Sequence, residues 1–484
     1  MKRVINLIKN CKPLQVVGNP DVDILSIAFD SRKVVDGAMY VAQRGVNADG
    51  HQFIASAISK GAVAVVCECL PDVLNVEVVY ILVEDSSNAL GVISSCFYDE
   101  PSSKLKLVGI TGTNGKTTTV TLLHKLFTNL GYKCGMLSTV HNKIAEEIIP
   151  SSHTTPDAVQ LNELLHDMVM EGCEFVFMEV SSHAIVQQRI AGLVFAGAIF
   201  SNLTHDHLDY HKTFDGYLKA KKQFFDELPA TAFALTNADD RNGSVMLQNT
   251  KAKKNDYSIR SMADFRSKII ENTLEGLCLQ FDLIPVWFKL VGEFNAHNIM
   301  AVYGTACLLG IPSNDVLQTL SGLSSAEGRF EYVRNTHGIV AVVDYAHTPD
   351  ALENVLKTIK DVCTGNEKII TVIGCGGDRD ALKRPKMAQI AADNSNQVVL
   401  TSDNPRTEDP KKILEQMQAG LTLLQMKNVL TIESRKDAIK TACILAQSGD
   451  VILVAGKGHE KYQEINGVKN HFDDKEELIY FLNI

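Results

Sequence analysis

Apolar residues recur along this chain with two different periods, and their alternation predicts its architecture. Phe53, Ile54, Ala57 and Ile58 follow Asp49-Gly50 at the spacing of a helix with one buried face. Gly61 ends that run, and Ala62-Val63-Ala64-Val65-Val66 reads as a buried strand. Ser86-Ser87 marks a joint and Pro101-Ser102-Ser103 a loop. Beyond them, 105–110 predicts a strand and 117–130 a helix. That helix carries Val120, Leu123, Phe127 and Leu130 on one face, with Gly131 as its cap. Phe175-Val176-Phe177-Met178 and Ala196-Gly197-Ala198-Ile199-Phe200 are further buried strands. The last third repeats this logic with strands at 339–343, 368–373, 397–400 and 451–454. Strands alternating with helices predict an α/β protein with mainly parallel sheets covered on both sides. A length of 484 residues suits about three domains, divided here as 1–87, 88–330 and 331–484.

Composition narrows the class. Hydrophobic residues make up 45% of the chain and charged residues 21%, an ordinary globular balance. A net charge of -10 argues against a broad nucleic-acid surface but leaves room for a local basic pocket. The eleven cysteines lack zinc-site spacing and suit buried or free thiols in a reducing compartment. The basic first ten residues have no long apolar core, and no apolar run reaches the ~18 residues of a membrane span. The expectation is a soluble, cytoplasmic monomer with neither membrane nor nucleic acid as partner.

The candidate chemistry begins at Gly112-Thr113-Asn114-Gly115-Lys116-Thr117-Thr118, between a strand and a helix. Glycines let backbone N–H groups converge on phosphate oxygens, and the helix N-terminus adds positive potential. Lys116 then meets the β/γ-phosphates of ATP, and the Thr117 hydroxyl reaches Mg²⁺. The usual first glycine of such loops is replaced by Ile110, so this is a shorter variant. Glu179 ends an apolar strand, the place for a metal-binding carboxylate or a turn cap. The run Asn202-Leu203-Thr204-His205-Asp206-His207-Leu208-Asp209-Tyr210-His211 suits a metal site and a polar loop equally. Lys221 and Lys222 follow in a helix with Phe214, Tyr217, Phe224 and Phe225 and read as its solvated face.

Three more loops follow strands of the last third: Gly374-Cys375-Gly376-Gly377-Asp378-Arg379-Asp380, Asp403-Asn404-Pro405-Arg406 and Gly456-Lys457-Gly458-His459-Glu460. The first begins like a dinucleotide fingerprint, but Arg379 stands at the third glycine position, which opposes NAD and suits a carboxylate. Asp409 and Pro410 then predict a helix start. Arg406 can hold a carboxylate through its fork and Glu460 can take an ammonium.

The set Gly112 to Thr118, Glu179-Val180-Ser181-Ser182-His183 and Asp206-His207-Leu208-Asp209-Tyr210-His211, in that order, resembles the Mur ligase family over nearly the whole chain. The resemblance implies three domains: one for a UDP-muramyl substrate, a central P-loop ATPase-like one, and a C-terminal Rossmann-like one for an amino acid. It implies an amide-forming, ATP-dependent ligase of peptidoglycan synthesis that uses ATP, a UDP-muramyl dipeptide and meso-diaminopimelate. It assigns Ser31, Thr154, Thr155, Ser181, Gln187 and Arg189 to the UDP-muramyl substrate, and Asn295, His297, Asn298, Arg329 and Asp344 to ATP. It makes Lys221 a carbamoylated lysine that holds Mg²⁺ with His207 beside Thr117 and Glu179. It carries Arg379, Asp403, Asn404, Pro405, Arg406, Gly456 and Glu460 to the diaminopimelate pocket.

Overall fold

The computed structural model describes residues 2–45, 48–151, 153–204 and 208–484. They form two compact units, one of 1–257 with 304–309 and one of 258–303 with 310–484. Mixed α/β architecture built on largely parallel sheets holds in both.

The first unit opens with a five-stranded sheet in the order Gln15–Val17, Val79–Leu82, Ala62–Cys67, Ala38–Val41, Ser26–Ala28, parallel except for its first pair. Alternate residues go to opposite cores: Met39, Val41 and Val66 to one, Tyr40, Val65 and Cys67 to the other. A strand buried on both faces has no polar side to show, so it reads as an unbroken apolar run. Ser86-Ser87, read as a joint, instead begins the helix Ser86–Phe97. Asp85 caps it by accepting from the N–H groups of Ser87 and Asn88, and Ala89, Leu90 and Ile93 pack into the sheet's core.

The second sheet of this unit holds the phosphate loop. Eight of its strands run in the order Glu147–Pro150, His141–Ile144, Cys134–Leu137, Phe175–Glu179, Lys106–Thr111, Gly197–Phe200, Phe233–Asn237, Lys253–Ser258. Those from Cys134–Leu137 onward are parallel. Lys106–Thr111 therefore lies between Phe175–Glu179 and Gly197–Phe200, and all three deliver their carboxyl ends to one edge. The helix Lys116–Asn129 follows the loop and buries Val120, Leu123 and Phe127, with Gly131 at φ +93° just beyond its end.

In the second unit a six-stranded sheet runs Glu331–Arg334, Val340–Asp344, Val451–Ala455, Ile369–Ile373, Gln397–Leu400, Val429–Thr431, with only the first strand antiparallel. Its two faces again feed separate cores, Val340 and Val342 to one and Ala341 and Val343 to the other. A three-stranded antiparallel sheet, Lys268–Thr273, Gly276–Phe281 and Ile284–Phe288, belongs to the same unit. Asp409 caps the helix Pro410–Gln418 as its sequence predicts. Among the described residues no helix is long and apolar enough to cross a membrane.

Candidate functional site

The phosphate loop is fastened to the neighbouring strand by polar contacts. Thr113 N–H donates to the Asn202 carbonyl at 2.9 Å, and Asn114 N–H to Asn202 Oδ1 at 2.9 Å. Ser201 Oγ donates to the Asn114 carbonyl at 2.7 Å. Gly112 must be glycine, because a Cβ there would sit 1.9 Å from Ser201 Oγ. Gly115 starts the helix at φ +89°, a conformation side chains disfavour. Lys116 Nζ donates to the carbonyls of Gly112 and Thr113 at 2.9 and 2.8 Å, while Thr117 and Thr118 are buried at the helix start.

The solvated-face reading fails for Lys221. It shares a helix face with Tyr217, Phe224 and Phe225 and is 1% exposed. Its Nζ reaches Thr111 Oγ1 at 3.3 Å and the Gly112 carbonyl at 2.9 Å, and lies 4.6 Å from the Tyr217 ring centroid. Lys222, one residue on, turns partly outward and pairs with Asp226 at 2.6 Å.

Glu179 sits level with Ile110 on the adjacent strand and is buried. Its Oε1 accepts from Thr139 N–H at 2.9 Å and its Oε2 from Thr139 Oγ1 at 3.2 Å. The Thr139 and Thr154 hydroxyls are also hydrogen-bonded to each other at 3.0 Å, and Thr155 Oγ1 donates to the Glu179 carbonyl at 2.8 Å. Ser181 N–H donates to Thr155 Oγ1, and its hydroxyl caps the helix Ser182–Val186. Arg189 grips the Thr155 carbonyl at 2.7 Å and Gln187 Oε1 at 2.7 and 3.0 Å. Five of the six residues assigned to the UDP-muramyl substrate thus form one cluster around Glu179. Ser31 stands outside these contacts, after the strand Ser26–Ala28, where its carbonyl accepts from Lys60. Thr117 hydroxyl and Glu179 carboxylate are oxygen donors of the kind Mg²⁺ takes. His207, with His205 and Asp206, lies outside the described residues.

The helix Glu293–Leu308 buries Asn295 and Asn298, linked by a 3.0 Å amide hydrogen bond, with His297 between them in sequence. Asp344 ends its strand in a buried position and accepts from Phe330 N–H at 2.6 Å. Burial pushes its carboxyl up to about 6, against the Arg329 guanidinium and the N–H groups of Phe330 and Ala346. The Arg329 guanidinium lies over the Tyr345 ring at 4.8 Å.

The loops after Ile369–Ile373 and Gln397–Leu400 interlock. A Cβ on Gly377 would lie 1.9 Å from the Pro405 carbonyl, and one on Gly376 2.9 Å from Arg406 Nη1. The glycines therefore admit the Asn404-Pro405-Arg406 loop. Arg406, at φ +51°, donates to the Gly377 carbonyl at 2.7 Å and keeps its Nε 3.7 Å from Glu464. Asn404 donates to Glu460 at 2.7 Å, and Gly456, at φ +115°, donates its N–H to the Asp344 carbonyl. Asp403 is buried beside them, whereas Arg379 is exposed and joins none of these hydrogen bonds.

The chain is similar to known proteins along most of its length. Residues 23–98 match the Mur ligase family catalytic domain, 110–306 the Mur ligase middle domain, and 328–458 the Mur ligase glutamate ligase domain. A UDP-N-acetylmuramoyl-L-alanyl-D-glutamate--2,6-diaminopimelate ligase of Cytophaga hutchinsonii is 59% identical over 98% of this chain and 97% of its own. The enzyme of the same name from Phocaeicola vulgatus is 55% identical over 98% of each. The chain belongs to the Mur ligase family. A solved structure, also of a UDP-N-acetylmuramoyl-L-alanyl-D-glutamate--2,6-diaminopimelate ligase, superposes with a TM-score of 0.72 at 34% identity, covering 100% of this chain and 99% of that one.

In this Mur ligase, sequence reasoning missed Thr139, a residue that joins the clusters. Thr139 binds Glu179 to Thr154. From the run already singled out in the sequence, Tyr210 accepts from Gln187 at 3.3 Å, and His211 Nε2 meets Ser182 Oγ at 2.9 Å. Thr139 was findable, since it follows the strand Cys134–Leu137 at the carboxyl edge where ligands gather in such sheets.

Proposed function

We propose that the chain adds meso-2,6-diaminopimelate to UDP-N-acetylmuramoyl-L-alanyl-D-glutamate at the expense of ATP. The γ-phosphoryl group of ATP passes to the D-glutamyl γ-carboxylate. The amine of diaminopimelate attacks the acyl phosphate, and phosphate leaves the tetrahedral intermediate. The observation that carries this reading is Glu179, buried between the strand of the phosphate loop and the Thr154, Thr155, Ser181, Arg189 cluster. Phosphoryl donor and carboxylate acceptor need such adjacency, since positioning is much of phosphoryl-transfer catalysis.

In this reading residues 1–87 serve the nucleotide sugar, 88–330 ATP and 331–484 the amino acid. Lys116 holds the β/γ-phosphates, with Gly112, Thr113, Asn114, Gly115, Thr117 and Thr118 around them. Asn295, His297, Asn298, Arg329 and Asp344 hold the rest of ATP. Ser31 and the Thr154 to Arg189 cluster hold the UDP-muramyl dipeptide. Glu460 takes the far ammonium of diaminopimelate and Arg406 its carboxylate, with Arg379, Asp403, Asn404, Pro405 and Gly456 shaping the pocket. Thr117, Glu179, His207 and Lys221 as a carbamate would hold Mg²⁺. When bound, Mg²⁺ offsets negative charge on the phosphoryl group. The enzyme works as a monomer in the cytoplasm, a reducing compartment that suits its eleven free thiols.

The test is ADP formation by the purified protein with ATP, Mg²⁺ and the UDP-dipeptide, with each amino acid added singly. ADP release dependent on meso-diaminopimelate is expected. Preference for L-lysine, or release without any amino acid, would overturn the reading.

A further inference from the structure

Beneath the loops of the second unit lies a charge that the proposed chemistry leaves unused. Lys457 follows the strand Val451–Ala455 and is 0% exposed. Its Nζ donates to Asn404 Oδ1 at 3.0 Å and stands 3.6 Å from Asp403 Oδ1 and 3.8 Å from Glu460 Oε2. Glu464 N–H donates to the same Asn404 oxygen at 2.9 Å. An amide oxygen has two lone pairs, and both are now used. The Asn404 NH₂ must face the other way, where it donates to Glu460 Oε2 at 2.7 Å. A flipped amide would set its NH₂ against an ammonium and an N–H, so Lys457 fixes the orientation of Asn404.

The charges around Glu460 give Lys457 a second task. Asp403 faces Glu460 from the neighbouring loop with a like charge. Burial first and Asp403 second push the Glu460 carboxyl up, while Lys457, Asn404 and Arg406 act against them. The Tyr345 hydroxyl donates to Glu460 Oε1 at 3.4 Å, and burial raises that phenol so that it stays protonated. His459 packs its ring on Tyr345 at 4.8 Å, and Tyr462 lies 5.5 Å from the Lys457 ammonium. Arg435 is near enough to feel Glu460, but it is committed to Asp474 through two 2.7 Å bonds and to the Ala455 carbonyl. Once Arg406 engages a ligand carboxylate, Lys457 is the cation in direct reach of Glu460.

We propose that Lys457 is a positioning residue for amino-acid selection, fixing the Asn404 amide and supplying the counter-charge that lets Glu460 receive the far ammonium of the incoming amino acid. This rests on the reading that these loops bind a diamino acid. A lysine kept only for stability would, on replacement by methionine, weaken the fold by leaving its acidic neighbours uncompensated, without changing the choice between amino acids.

The experiment compares full-length wild type with Lys457→Met on meso-diaminopimelate and on 2-aminopimelate, which lacks the far amine. Wild type prefers the diamino acid. In Lys457→Met the ratio of kcat/KM values falls by about tenfold, as expected for one charge-assisted contact, with KM for ATP and for the UDP-dipeptide unchanged. The acid limb of kcat/KM for diaminopimelate moves to higher pH, and adding Asp403→Asn moves it back. An unchanged ratio and limb, or an equal loss on both amino acids, overturns the proposal. Should Lys457→Met not fold, Lys457→Gln keeps a donor to Asn404 and removes the charge; an unmoved acid limb there overturns it too. A wild-type ratio near one removes the diamino-acid reading itself, and this assignment with it.

Discussion

The ammonium groups of Lys116 and Lys221 both donate to the Gly112 carbonyl, at 2.9 Å each, although one lysine starts a helix and the other is buried on a different one. Two cations on one oxygen repel each other in a site of low polarity. Converting one into an anion replaces that repulsion with attraction. The proposed carbamate at Lys221 does so and frees Lys116 for phosphate. Enzyme stripped of bicarbonate should therefore lose turnover and regain it when bicarbonate returns. Lys221→Gln should be inactive and indifferent to bicarbonate, and activity independent of bicarbonate in wild type would remove the carbamate from the account.

Lys116→Ala should lower kcat by about a hundredfold or more, the scale of one preorganised group facing transition-state charge. Its affinity for the UDP-dipeptide, measured by titration, should stay near wild type. Near-normal turnover would contradict the role.

Arg406→Ala should raise KM for meso-diaminopimelate and abolish the preference over L-lysine, which lacks the second carboxylate. The expected loss is on the order of 2 kcal/mol or more, the range for a buried charge-assisted fork. Paired kcat/KM measurements on both amino acids check it.

Asp344 gives a pH signature. Its folded carboxyl titrates near 6, above the usual 3.8, so between those values the folded state binds more protons than the unfolded one. Stability from this group is present at acid pH and is lost as pH rises through about 6. Denaturant titrations should show wild type losing stability relative to Asp344→Asn between about pH 4 and 6 and running parallel above. A gap that widens in wild type's favour over that range would contradict the burial argument.

Arg435 and Asp474 form an ion pair with both side chains fully buried. Arg435→Met alone should cost about 3–5 kcal/mol by leaving Asp474 uncompensated. Arg435→Met with Asp474→Leu should recover most of it, as read from urea midpoints.

Much of this was legible in the sequence, for physical reasons. Val451-Ile452-Leu453-Val454-Ala455 is buried on both faces, so its strand needs no pattern beyond continuous apolarity. The phosphate loop is one contiguous run, so its pattern shows in the sequence even though Gly112 is required by Ser201, far along the chain, and Gly115 by its own positive φ. The hairpin Tyr462–Ile465 with Val468–His471 was not legible, because its second strand is exposed throughout and carries no apolar alternation. The start of Ser86–Phe97 looked like a linker because serines open it, and its cap comes from Asp85. Lys221 was misread because periodicity cannot say what packs on a helix face. Thr139 and Lys457 act through partners 40 and 53 residues away, a distance no local pattern spans.

The most direct test follows heavy-isotope oxygen placed in the D-glutamyl γ-carboxylate of the UDP-dipeptide. With ATP, Mg²⁺ and meso-diaminopimelate, one labelled oxygen should appear in the released phosphate for each amide formed, because that oxygen bridges carbon and phosphorus in the acyl phosphate. Unlabelled phosphate alongside the tripeptide product would contradict carboxylate activation.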